Sequence, residues 1–261
     1  MEYEGGGKIL SVVLALLIGW SSAPAVAAEF IWDRSIPGGV SLYLLGTIVP
    51  GDYERFVATL KRRGPQYFLL YLRSPGGNTG EAMRIGRLVR SLSVPTVGPL
   101  SDPQNPNVAS CVSDVSAIGR SPQCICASAC TLIWFAGVTR SALEIYVHSI
   151  RYDDAKMFGQ LSPPEAEAMY RKSMGEIHDY LREMDVNEKI YYMMTDVASA
   201  RIQRVLTVDG GELSNWSPGY REWLYARCGA PARTVSWGRC ISDAGIQAEI
   251  DALKSFLAAS P

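Results

Sequence analysis

From residue 39 onward, short apolar runs alternate with longer amphipathic ones. "GVSLYLLGTI", Gly39 to Ile48, is rich in β-branched and aromatic residues and stops at Val49-Pro50-Gly51, which predicts a strand. "DYERFVATLKRRG" places Phe56 and Leu60 at helical spacing, with Asp52 as the expected N-cap and Gly64 as the stop. "PQYFLLYLRS" predicts a second strand, apolar enough for burial on both faces. "SPGGNTG" breaks it. "EAMRIGRLVRSLS" then predicts an amphipathic helix with Met83, Ile85, Leu88, Val89 and Leu92 inward and its arginines outward. "VPTVGPL" predicts a third short strand.

This alternation predicts an α/β fold with right-handed crossovers and a largely parallel sheet. A long polar loop, Ser101 to Gln123, follows, and such loops inside a domain are usually functional or tethered. An apolar helix is expected around Ala129 to Gly137, then a strand in "SALEIYVHSI" ending at His148. A long helix is expected from Pro163, capped by Ser162, and a last one in "AGIQAEIDALKSFLAA". The chain contains no internal sequence repeat and no low-complexity tract.

Composition changes little: 48% of the 261 residues are hydrophobic, 20% are charged, and the net charge is −1, so no basic excess argues for nucleic acid. The N-terminus changes more. Lys8 precedes the apolar run Ile9 to Trp20, and "SSAPAVAAEF" follows with small residues at A-x-A spacing. This reads as a signal peptide over residues 1–27, cut after Ala27 or Ala28, although Glu2 and Glu4 offset Lys8; the alternative is an uncleaved membrane anchor. The mature chain would be periplasmic or secreted.

Export makes the six cysteines disulfide candidates. Cys228 and Cys240 bracket a Gly/Pro-containing loop and form the easiest pair. Cys111 is expected to pair with Cys124 or Cys126, and Cys130 to be a buried thiol or to pair locally. Cys124, Cys126 and Cys130 lack C-x2-C spacing and the chain has only two histidines, which argues against zinc. No cofactor is expected.

Three features could carry chemistry. "RSPGGNTGEA" ends a strand in Gly76-Gly77, whose uncovered N–H groups let a substrate backbone approach closely; a plain tight turn is the alternative. Ser128, in "CASAC", opens the apolar helix. It could be only an N-cap, or a nucleophile facing an oxyanion site at the Ala129 N–H. A nucleophilic serine needs a base, and His148 at a strand end fits better than His178, which lies mid-helix among charged residues.

The order of glycine pair, serine at a helix start and histidine at a strand end, in "LYLRSPGGNTGEAMRIG", "CASACTLIWFAG" and "IYVHS", resembles the Clp protease proteolytic subunit. That family consists of serine peptidases of the Clp/crotonase superfold. The set is more similar still to exported bacterial relatives in which a C-A-S-A-C segment is typical. The resemblance covers roughly Ser41 to Leu213. It implies repeated β-β-α and βαβ units, Ser128 as nucleophile, His148 as base, and an oxyanion hole from the N–H groups of Ala129 and of Gly76 or Gly77. It implies an aspartate before "VLTVDGGEL", with Asp196 preferred over Asp209. Two departures stand out: Ala129 and Cys130 follow the serine where methionine and glycine are usual, and the cysteine-bearing loop has no counterpart in the cytosolic peptidase.

The expected organisation is a signal peptide, a Clp/crotonase-like domain over 28–226 and a small disulfide-tied C-terminal appendage over 227–261. The expected partner is a peptide or protein substrate. Ring-like homo-oligomers are what the family implies, whereas an ATP-driven unfoldase is not expected outside the cytoplasm. A non-catalytic exported binding module with the same fold is the alternative function.

Overall fold

The computed structural model describes residues 27–33, 40–99, 125–142, 144–149, 161–195, 203–206, 216–231 and 234–259. Strand β1 (Glu29–Asp33) runs antiparallel to β2 (Ser41–Leu45). From β2 the sheet continues in parallel through β3 (Leu69–Arg73), β4 (Thr96–Val97) and β5 (Arg140–Ser141). Helices make the crossovers that parallel pairing requires. Helix α1 (Asp52–Arg63) joins β2 to β3, α2 (Thr79–Ser91) joins β3 to β4, and α3 (Ala129–Ala136) precedes β5.

Leu42, Leu44, Leu70 and Leu72 project from one face of the sheet and are fully buried with Phe56, Ile85 and Ile133 of the three helices. Burial of β3 on both faces, expected from its apolar run, does not occur: Leu69, Tyr71 and Arg73 are half-exposed. On that face Tyr43 stacks on Tyr71 at 4.9 Å, and the Arg73 guanidinium lies 5.3 Å from the Tyr43 ring centre. Tyrosine rings and the arginine stem supply apolar cover on this partly wetted face.

Helix ends follow local chemistry. Asp52 is the first helical residue of α1 rather than its cap, which is Gly51. The buried Asp52 carboxylate instead accepts the Val49 N–H at 2.6 Å and pairs with Arg55. Gly64 ends the helix, as expected, at φ 82°. Asn78 caps α2 by accepting the Glu81 N–H at 2.9 Å.

A second line of pairing runs just beyond the main-sheet strands. Single parallel bridges join Ile48 to Gly77, Ser74 to Cys126, and Ala127 to Tyr146. Tyr146 belongs to β6 (Glu144–Val147), which pairs antiparallel with β7 (Gln203–Leu206). Helices α4 (Pro163–Glu183) and α5 (Glu188–Thr195) add Ile177, Tyr180 and Met194 to the same core.

Helix α6 (Pro218–Cys228) and α7 (Val235–Ala259) close the chain, linked by the Cys228–Cys240 disulfide. The last helix begins nine residues before the expected Ala244. It reaches the main core through Leu253 and through Glu249, whose Oε1 accepts the Phe68 N–H at 2.8 Å. Among the described residues no helix is long and apolar enough to cross a membrane.

Candidate functional site

The segment Ile125–Ser128 is pinned on both sides. On one side Ser74 donates its N–H to the Ile125 carbonyl at 2.7 Å and accepts the Ala127 N–H at 3.1 Å. On the other, the Tyr146 N–H reaches the Cys126 carbonyl at 3.0 Å, and the Ser128 N–H reaches the Tyr146 carbonyl at 2.9 Å. Helix α3 starts one residue later. The chain must therefore pass from strand to helix within a single residue, and that residue is Ser128, at φ 55° and ψ −127°.

This conformation separates the two readings of the serine. An N-cap serine has extended backbone and turns its oxygen onto the helix's own N–H groups. Ser128 has positive φ and makes no side-chain cap bond. Its Oγ is thus left for the cleft it faces. A non-glycine residue in this region is strained, and such strain persists where the surroundings over-determine it. A sharp strand-to-helix turn bearing a serine is the geometry of a nucleophile elbow.

The glycine pair makes the turn possible. A Cβ on Gly76 would lie 2.6 Å from the Ser128 Cβ and 2.8 Å from the Ala127 carbonyl oxygen, and one on Gly77 would lie 2.1 Å from the Ile48 carbonyl oxygen. Both glycines have positive φ, 106° and 134°. Their N–H groups differ. Gly76 donates to the buried Ser74 Oγ at 3.0 Å. Among the described residues, the Gly77 N–H has no acceptor, and neither has that of Ala129 at the head of α3.

Ser128, His148, Gly76, Gly77 and Ala129 line one cleft of about 330 Å³, whose apolar wall is Leu132, Ile177 and Met194. His148 enters from the end of β6. Its Nδ1 lies 2.5 Å from the Ser149 carbonyl oxygen. With the proton on Nδ1, the ring donates to that oxygen and leaves Nε2 unprotonated. No hydrogen bond joins His148 to Ser128 among the described residues. Among the described residues no titratable side chain other than His148 lines the cleft, and the unpaired N–H groups of Gly77 and Ala129 with the positive end of α3 favour a negative charge there.

The two cysteines flanking Ser128 form a disulfide, Cys126–Cys130, with both residues fully buried. Cys126 is therefore not the partner of Cys111; local pairing of Cys130 is what occurs. Cys111, Cys124, Asp196 and Asp209 lie outside the described residues. His178 is half-exposed, tilted on Tyr191 at 4.3 Å and 3.8 Å from Glu188, at the joint of α4 and α5. The apolar wall was not anticipated. Leu132 could have been, since it stands one helical turn after Ser128 on the same face. Ile177 and Met194 arrive through long-range packing and leave no local signal.

No protein-family model matches this chain, and no curated protein does. Among solved structures it is similar to a mutant of ClpP1 from Listeria monocytogenes, with a TM-score of 0.42 and 16% identity over 64% of this chain and 82% of that one.

Proposed function

We propose that this protein is an exported serine hydrolase, a peptidase that cleaves extended peptides with Ser128 and His148. The observation that carries the reading is the Ser128 backbone: a strained strand-to-helix turn whose hydroxyl caps nothing and faces a cleft shared with a histidine.

In this reading His148 Nε2 takes the Ser128 proton as Oγ bonds to the substrate carbonyl carbon. The oxyanion of the tetrahedral intermediate accepts the Gly77 and Ala129 N–H groups. The imidazolium then protonates the leaving amine as the C–N bond breaks. Water, deprotonated by the same ring, releases the acyl group from Oγ. The peptide lies extended beside Gly76-Gly77, with one side chain against Leu132, Ile177 and Met194. Asp196 is proposed to steady the imidazolium; its support is that Met194, two residues earlier, lines the cleft. Asp209 is the rival.

The order of main-sheet strand, short bridging segment and helix, repeated along the chain, supports a Clp/crotonase-like domain over 28–226 with an appendage over 227–261. Buried and surface disulfides support export. A fluorophosphonate should label the oxidised protein at Ser128, and Ser128→Ala and His148→Ala should each abolish labelling. In the same assay Asp196→Asn should slow labelling by about a hundredfold or more, and Asp209→Asn should not. A second reading, a non-catalytic peptide-binding module, is favoured by the missing Ser128–His148 hydrogen bond. An oxidised, folded protein that takes no label would establish it.

A further inference from the structure

We infer that the Cys126–Cys130 disulfide is the positioning element of the nucleophile, holding Ser128 in its reactive conformation; this rests on the hydrolase reading above. The crosslink closes a five-residue ring with Ser128 at its centre. Its two Cα atoms are 5.3 Å apart. Four residues of extended chain would span about 13–14 Å, so the bridge forbids the elbow from opening into a strand. The bridge alone would tolerate a continuous helix, because residues four apart meet on one helix face. Strand pairing removes that option: the Cys126 carbonyl accepts the Tyr146 N–H, and the residues on either side of Cys126 bond to Ser74. Crosslink and pairing together leave only the sharp reversal at Ser128.

The serine needs this support. Its positive φ is unfavourable for an L-residue, and relaxation to negative φ would swing the Oγ and the Ala129 N–H together. On the helix side the turn is held by the Thr131 N–H and Oγ1, both donated to the Ser128 carbonyl, at 2.9 and 2.7 Å. Those bonds fix the carbonyl and leave the peptide plane before Ser128 to the strand. The disulfide is a second covalent link between the two halves, beside the backbone that runs through Ser128. Both cysteines face the core while Ser128 faces the cleft, so the crosslink acts on the nucleophile through the backbone without touching substrate.

The test is the fluorophosphonate titration of Cys126→Ala/Cys130→Ala beside wild type and Cys228→Ala/Cys240→Ala, with circular dichroism confirming the fold of each. The saturating labelling rate should fall about 10–100-fold in the first variant, with the half-saturating probe concentration unchanged, and should keep its wild-type value in the second. A purely structural role would lower the melting temperature and leave the saturating rate alone. Should the first variant not fold, wild type is treated with a phosphine, which with water supplies two electrons and two protons to give two thiols and the phosphine oxide. Alkylation and mass mapping then show which pair has opened. Loss of labelling that tracks opening of Cys126–Cys130 supports the inference. A wild-type saturating rate in a folded protein lacking this bridge overturns it while leaving the hydrolase reading intact. Absence of labelling in oxidised wild type removes both.

Discussion

At Ser128, the proposed function and the fold make opposite demands on one residue. A cap would relax the backbone and occupy the hydroxyl; the observed turn does neither, and the cost is held by its neighbours. Gly76 is the nearest of these. Gly76→Ala would set a methyl group 2.6 Å from the Ser128 Cβ at a backbone φ of 106°, so both the residue and its neighbour must move. We expect this variant to lose Ser128 labelling by at least about a hundredfold, as misplacement of a reacting atom by about an ångström does. Labelling kinetics on the folded variant check this. Serine, histidine and glycine pair were all legible in the chain, because each stands at a strand end or helix start that composition marks. Which glycine N–H is left unpaired was not: the buried Ser74 hydroxyl accepts that of Gly76, whereas that of Gly77 has no acceptor among the described residues.

Among the elements, α3 is the one the site hangs on, and its far end is also anchored. Arg90 of α2 donates to the Ala136 and Phe135 carbonyls at 2.7 and 3.2 Å. Arg140 of β5 donates to the carbonyls of Gly137, at 3.2 Å, and of Met184, at 2.7 Å. Two guanidinium groups thus meet the negative end of the helix that presents Ser128 at its positive end. Burial, with the nearby Arg90 charge, lowers the Arg140 pKa to about 10, which leaves it charged at neutral pH. Arg140→Met should strip a buried carbonyl of its partner and lower the unfolding free energy by about 1–3 kcal/mol. Denaturant titration measures this, and labelling of Ser128 should survive below the transition. Helical periodicity placed Met83, Ile85, Leu88, Val89 and Leu92 inward, and all five are buried. It also placed the arginines of α2 outward, which fails for Arg90. A long stem lets a guanidinium start on the solvent side and finish at a neighbouring helix end, and periodicity follows only the Cα.

At the scale of the whole molecule, one carboxyl stands at the seam where the last helix meets the sheet, beside the packing of Leu253. Glu249 is fully buried, with Oε1 on the Phe68 N–H and Oε2 without a hydrogen-bond partner among the described residues. Burial drives its pKa well above the ordinary carboxylate value, and the single backbone bond offsets only part of that rise. A folded pKa above the unfolded one means that the folded state holds the extra proton. The stability this proton confers is present below the unfolded carboxylate pKa, near 4.5, and is lost as pH rises through the folded pKa. Glu249→Gln keeps the acceptor for Phe68 and removes the titration. Its unfolding free energy should fall less between about pH 5 and about pH 8 than that of wild type, as parallel denaturant titrations at the two pH values would show. Nothing in the amphipathic pattern of "AGIQAEIDALKSFLAA" singles out this glutamate, because the N–H it serves lies just ahead of a strand far upstream.

The same bond joins residues 181 positions apart, and this bears on the order in which the chain can fold. Strand β3 lies inside the sheet, with β2 and β4 on its flanks, and all three precede Ser128 and His148 in the chain. Yet the N–H just ahead of β3 finds its buried partner only when the last helix arrives. Loop closure over that distance has to be offset before the contact rewards it, so docking of α7 belongs late in folding. A nascent chain that has completed the segments bearing Ser128 and His148 still lacks the partner of the Phe68 N–H. Completion of the fold therefore waits on the docking of α7, and a protease acting before that step would find its opening at this seam.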